Sequence, residues 1–143
     1  MAIYTLPQPY EELDHTADVG ILVRGDSAEQ TLARLVLGFS QLATEGGQLV
    51  IEKTARIEVA ADGCMDIAID VLRELLFRFD CDEEVPVCCE IVHFDERSAL
   101  LEVGFARLDE RACEQGTELK AVTLHEARFE RDGDWIAQVI FDV

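Results

Sequence analysis

Residues 51–79, IEKTARIEVAADGCMDIAIDVLRELLFRF, change their hydrophobic period halfway along, and that change decides the fold. Over 51–61, apolar and polar residues alternate. Ala55, Ile57, Val59 and Ala61 fall on one side and Arg56 and Glu58 on the other, which is the period of a half-buried strand. After Asp62-Gly63 the apolar set becomes Met65, Ala68, Ile69, Leu72, Leu75, Leu76 and Phe79. This wide helical stripe implies burial against a sheet rather than a narrow coiled-coil seam. The stretch predicts a strand followed by a helix.

The same order precedes it. Residues 10–13 and 19–24 read as two extended pieces flanking the polar turn Asp14-His15-Thr16-Ala17-Asp18, and a helix follows. Ser27 caps that helix and Gln30, three residues on, closes a capping box. Leu32, Leu35, Val36, Phe39 and Leu42 recur at helical spacing, and Gly46-Gly47 stops the run. Downstream the period is mostly two, over 87–94, 99–107, 119–130 and 135–143, with Asp132-Gly133 as a hairpin turn between the last two. No linker or repeat divides the chain. It is expected to form one α+β domain over 1–143, with two helices covering one face of a mostly antiparallel or mixed sheet behind a loose lead at residues 1–9.

Composition supports folding and narrows the partners. A chain of 143 residues with 49% hydrophobic content can bury one sizeable core and is too apolar for the disordered class. Lys plus Arg number 12 against 30 Asp plus Glu, a formal charge of −18. A field of that sign repels phosphate backbones, so direct nucleic-acid binding is not expected, whereas cations and basic protein surfaces are attracted. No apolar run reaches the ~20 residues of a membrane span, and the start lacks the pattern of a signal peptide. A cytoplasmic protein with no membrane association is the expectation. The cysteines Cys64, Cys81, Cys88, Cys89 and Cys113 form an odd set without a CxxC pair, and they read as reduced packing residues. His93 sits mid-strand and reads as structural.

Two regions could carry chemistry. The 14–20 turn places two carboxylates and an imidazole within five residues, suited to a hard cation but also to local backbone bonding in a tight turn. The last expected strand ends at Asp142-Val143 without a polar tail, which would present the Asp142 carboxylate and main-chain oxygens of Val143 at a fixed place. Oxygens of this kind are what Ca²⁺ or Mg²⁺ prefers. A shared sheet edge would bring Asp18 and Asp142 to within ~5 Å across paired strands. His15 could then support Asp18, or simply bond within its turn. No nucleophile with a defined partner is evident, so no catalytic residue is assigned.

Three stretches taken together, Tyr10-Glu11-Glu12-Leu13-Asp14-His15-Thr16-Ala17-Asp18-Val19-Gly20, Lys120-Ala121-Val122-Thr123-Leu124-His125 and Trp135-Ile136-Ala137-Gln138-Val139 closing on Asp142-Val143, resemble the archease family over the whole chain. The resemblance implies a non-catalytic activator of an RtcB-type RNA ligase. That ligase joins 2′,3′-cyclic or 3′-phosphate ends to a 5′-hydroxyl in tRNA splicing and RNA repair. Archeases are understood to promote its guanylylation and multiple turnover. The family's metal site falls on Asp18, Asp142 and Val143, and the implied cofactor is an oxygen-ligated divalent cation, calcium, magnesium or manganese, with calcium the one expected in a crystal. Lys120 and His125 are partner contacts by resemblance only. Leu124 stands where the family commonly has Tyr, which touches any contact made by that aromatic. Two other readings stay open: a metal-dependent hydrolase in which Asp18, Asp142 and His15 activate water, and an acidic chaperone or protein-binding module.

Overall fold

The computed structural model describes residues 2–14, 18–44, 49–108 and 116–143. Ten elements follow in order: β1 (Ile3–Thr5), β2 (Glu11–Asp14), β3 (Asp18–Gly25), α1 (Ala28–Thr44), β4 (Lys53–Ala60), α2 (Cys64–Asp82), β5 (Glu84–Phe94), β6 (Ser98–Arg107), β7 (Ala121–Asp132) and β8 (Asp134–Asp142). The expected α+β class with two helices holds. The strands divide, however, into two four-stranded sheets, β1-β5-β6-β4 and β2-β3-β8-β7, rather than one. Every pairing is antiparallel.

The split follows from how completely α1 is buried. Its sequence is apolar or small nearly all round, and Leu32, Ala33, Leu35, Val36, Leu37, Phe39 and Leu42 are all buried. One sheet face cannot cover such a helix. It touches β1 and β5 of the first sheet and β3 and β8 of the second, while α2 touches β4, β5 and β6 on one side and β7 on the other. The helices therefore lie between the sheets. Val19, Ile21 and Val23 of β3 and Ala137, Val139 and Phe141 of β8 turn inward to meet them, and Phe39 packs on Phe141 with ring centroids 6.1 Å apart.

Local signals place the helix ends. Ser27 Oγ accepts the Gln30 N–H at 3.1 Å as a cap should, but Gln30 Oε1 returns the bond to the N–H of Asp26, one residue before the expected partner. The Gly46-Gly47 stop lies outside the described residues. Gly63, at φ 104, turns the chain into α2, and Glu83, at φ 57, closes that helix by donating its N–H to the Phe79 carbonyl at 3.1 Å. Gly133, at φ 74, makes the expected β7–β8 hairpin. The loose lead is corrected in part, since residues 3–5 form β1 on the edge of the first sheet. Described cysteines are free thiols, as expected, yet only Cys89 is a buried packing residue; Cys81 is exposed. Cys113 lies outside the described residues.

Candidate cation edge

The register of the second sheet brings the two ends of the chain together. Asp18, the first residue of β3, stands directly opposite Asp142, the last of β8, and the pairing continues through Val19↔Phe141, Gly20↔Ile140 and Ile21↔Val139. Because Val19 and Phe141 face the helices, alternation puts Asp18 and Asp142 on the other face of the sheet. Directly opposed residues of antiparallel strands have Cα atoms ~4.5–5.5 Å apart, close enough for their carboxylates to repel or to share a cation.

Two features fix this corner. Asp142 is also paired with Ala121 of β7, and its carbonyl accepts the main-chain N–H of Lys120 at 2.8 Å. Two pairs further in, Thr123 Oγ1 donates to the Ile140 carbonyl at 3.0 Å. On the facing strand Gly20 leaves room for Ile140: a Cβ there would stand 2.5 Å from Ile140 Cδ1 and 3.2 Å from the Val139 carbonyl oxygen, so the Ile140 side chain would have to shift. The bare backbone lets Ile140 lie across β3, where it is 1% exposed.

The electrostatics of the corner are unbalanced. Asp18 Oδ1 is buried and accepts no hydrogen bond among the described residues, a costly state for a carboxylate oxygen unless a proton or cation meets it. Asp142 and Val143 are exposed beside it. Among the described residues no three His, Cys, Asp or Glu side chains come together in a ligand arrangement. Among the described residues the carboxylates of Asp18 and Asp142 are therefore the two acidic side-chain donors of the corner, and the main-chain oxygens of Val143 adjoin them in sequence. His15 lies outside the described residues. This donor set, all oxygen and twice anionic, fits a hard divalent cation.

The partner-contact candidates are placed less simply. Strict alternation along β7 would put Lys120 and Leu124 on one face. Instead the register slips between Thr123 and Arg128, so that four residues stand opposite one on β8. Residues 124–127 form a bulge in which 124–126 are exposed while Ala127 packs on the core; it is held where Gln138 Nε2 donates to the Glu126 carbonyl at 2.9 Å, with Glu126 at φ 52. Leu124 is 56% exposed, and the His125 side chain is exposed with it. Lys120 is exposed as well, and the slip after Thr123 means that strict alternation does not carry through His125. His93, read as structural, is a surface residue whose Nε2 lies 2.9 Å from Asp95 Oδ2. A separate cavity of about 560 Å³, lined by Glu52, Lys53, Asp80, Glu84 and Arg107 among others, contains none of the expected site residues. Sequence reasoning missed the bulge and the Thr123 bond, since neither leaves a mark in hydrophobic period. The Asp18–Asp142 pairing it did reach.

Fold and corner together define a small two-sheet α+β protein that presents an acidic cross-strand pair at its second sheet's end. The sequence model of the Archease protein family (MTH1598/TM1083) matches residues 10–143, and the chain belongs to that family. A protein archease from Methanopyrus kandleri is 30% identical over 94% of this chain and 99% of its own length. One from Danio rerio is 29% identical over 82% of this chain and 75% of its own. A solution structure of Methanobacterium thermoautotrophicum protein 1598 superposes with a TM-score of 0.76 at 25% identity, covering 94% of this chain and 98% of that one. A Thermotoga maritima crystal structure described as an archease, possible chaperone, shares the fold with a TM-score of 0.61 at 23% identity over 96% of this chain and 98% of that one. Among the described residues no helix is long and apolar enough to cross a membrane.

Proposed function

We propose that this protein is a non-catalytic activator of an RtcB-type RNA ligase in tRNA splicing or RNA repair, acting through a divalent cation held by Asp18, Asp142 and a main-chain oxygen of Val143. The observation that carries the reading is the direct opposition of Asp18 and Asp142 with one Asp18 oxygen left buried and unmatched. Family membership supplies the setting. When bound, such an ion neutralises charge on phosphoryl oxygens, the need of a guanylyl-transfer step.

The chain's own contribution is presentation. The β3–β8 ladder holds the two carboxylates rigidly, while the 124–127 bulge sets Leu124 and His125 outward on the neighbouring strand. Lys120, next to Asp142 through its main chain, and His125 would meet the ligase. An activator with charge −18 suits a basic nucleotide-binding cleft and not free RNA. The test is reconstituted ligation with limiting ligase. Wild-type protein should raise turnover number, and Asp18→Asn or Asp142→Asn, each folded by circular dichroism, should lower that gain by ~10-fold or more. Undiminished activation by both variants rejects the cation edge. Absence of any activation rejects the ligase assignment.

A further inference from the structure

The edges of the two sheets are unequal. β1 and β2 are 3 and 4 residues long, and β7 is broken by its bulge. β4 alone is a long, regular edge, paired with β6 from Lys53↔Phe105 to Ala60↔Ser98 without a slip. Just beyond its end the Ala61 N–H donates to the Arg97 carbonyl at 3.1 Å. That bond sets the alternation: odd-numbered residues turn their main-chain groups to β6, and Thr54, Arg56, Glu58 and Ala60 turn theirs outward. Among the described residues no strand pairs with that side. An open row of this kind is a template for another strand.

We propose that β4 pairs antiparallel with β4 of a second copy about a two-fold axis through Ile57, joining the two β1-β5-β6-β4 sheets into one of eight strands. Charge selects this register. An axis through Arg56 would oppose two arginines, and one through Glu58 two glutamates. The axis through Ile57 opposes Arg56 to Glu58 of the second copy, twice, and Thr54 to Ala60, twice. The same residues are the ones whose main-chain groups point outward, so each of these pairs can exchange two backbone hydrogen bonds. On the inner face Ile57 meets its own copy and the half-buried Ala55 meets Val59.

Arg56 is already aligned for the task. It spends Nε and Nη2 on Glu102 Oε1, at 3.2 and 3.0 Å, which extends the guanidinium along the solvent face and leaves Nη1 for an acid beyond the edge. Edge charges commonly guard against pairing by repulsion. Here their signs alternate so that the edge complements itself, as an isologous interface requires.

The test is mass in solution by sedimentation and light scattering, at roughly 0.3 mM protein because a bare strand–strand contact is small, and in ~0.15 M salt, where the Debye length of ~8 Å screens the repulsion between two acidic chains. Wild-type protein should show twice the 16.0 kDa monomer mass. Glu58→Arg alone and Arg56→Glu alone should each lose the dimer, with unfolding midpoints confirming the fold. Mixed in equal amounts they should regain it, because one chain then offers two cations to two anions. Should Arg56→Glu fail to fold against Glu102, Arg56→Glu with Glu102→Arg preserves the pair within the chain and takes its place. A monomeric wild type, dimers that survive either substitution, or folded variants that do not reassociate on mixing would overturn the proposal. So would a wild type that stays monomeric and binds an extended segment of another protein on this edge.

Discussion

Single positions in this protein are constrained by backbone contact more sharply than by side-chain chemistry. At Gly116 a Cβ would lie 1.7 Å from the Ala43 carbonyl oxygen, because the chain before β7 is laid on the last turn of α1, where the Thr117 N–H donates to the Leu42 carbonyl at 3.1 Å. Backbone cannot yield there as a side-chain tip could. Gly116→Ala should destabilise by about 2–4 kcal/mol in denaturant unfolding, the range of severe overpacking. Asp95 represents the opposite case, a surface carboxylate with a purely local role. Its Oδ1 accepts the N–H groups of Arg97 at 2.7 Å and Ser98 at 2.9 Å, and these bonds, with His93 beside it, hold its carboxyl below the usual carboxylate range. A depressed folded pKa contributes stability that is present above the unfolded value of ~3.9 and disappears as pH falls through the folded one. The difference in unfolding free energy between wild type and Asp95→Ala should be largest near neutrality and shrink steadily below pH ~4. A pH-independent difference would show that the carboxylate bonds are not its source.

At the scale of elements, α2 ends against its own electrostatics. Glu83 occupies the left-handed position that closes the helix, at φ 57, where glycine is favoured, and no basic residue lies in the last turn to complement the dipole. Its carbonyl also accepts the Leu108 N–H at 2.8 Å, a bond that glycine would keep. Glu83→Gly should therefore stabilise the protein by roughly 1 kcal/mol in thermal or denaturant melts, as strain and an unfavourable end charge are both removed. A loss of stability would show that the Glu83 side chain matters more than its backbone. Elements also show how far the sequence could be read. The Ile51 to Phe79 switch of period gave β4 and α2 with ends off by up to three residues, and the Asp132-Gly133 turn gave the last hairpin. The split into two sheets was out of reach, because alternation reports that one face of a strand is buried and not which sheet buries it. The all-round apolar character of α1 was the available clue. The β7 bulge was hidden because Ala121, Thr123 and Leu124 look the same in a hydrophobic pattern whether or not extra residues are inserted.

For the molecule as a whole, the corner at Asp18 and Asp142 joins residues far apart in the chain, and its charge should govern stability with a sign that depends on the medium. β3 and β8 are the central strands of the second sheet, and their first cross-strand pair is two aspartates. With no divalent cation, like charges directly opposed on neighbouring strands are destabilising by ~0.2–1 kcal/mol, so Asp18→Asn and Asp142→Asn should melt higher than wild type in EDTA. With a cation bound only by the folded state, wild type gains RT ln(1 + [L]/Kd), ~2.7 kcal/mol at a hundredfold excess over Kd. The variants, lacking one anionic donor, should gain far less. The order of melting temperatures therefore inverts between EDTA and millimolar Ca²⁺, Mg²⁺ or Mn²⁺, and the ion giving the largest wild-type shift is the best fit to the donors. This inversion separates a cation site from a purely structural role, since an aspartate needed only for packing or backbone bonding would leave its Asn variant equally destabilised in both media. Calorimetric titration with the same ions, with binding expected in wild type and weakened ~10-fold or more in either variant, measures the affinity that sets the size of the shift.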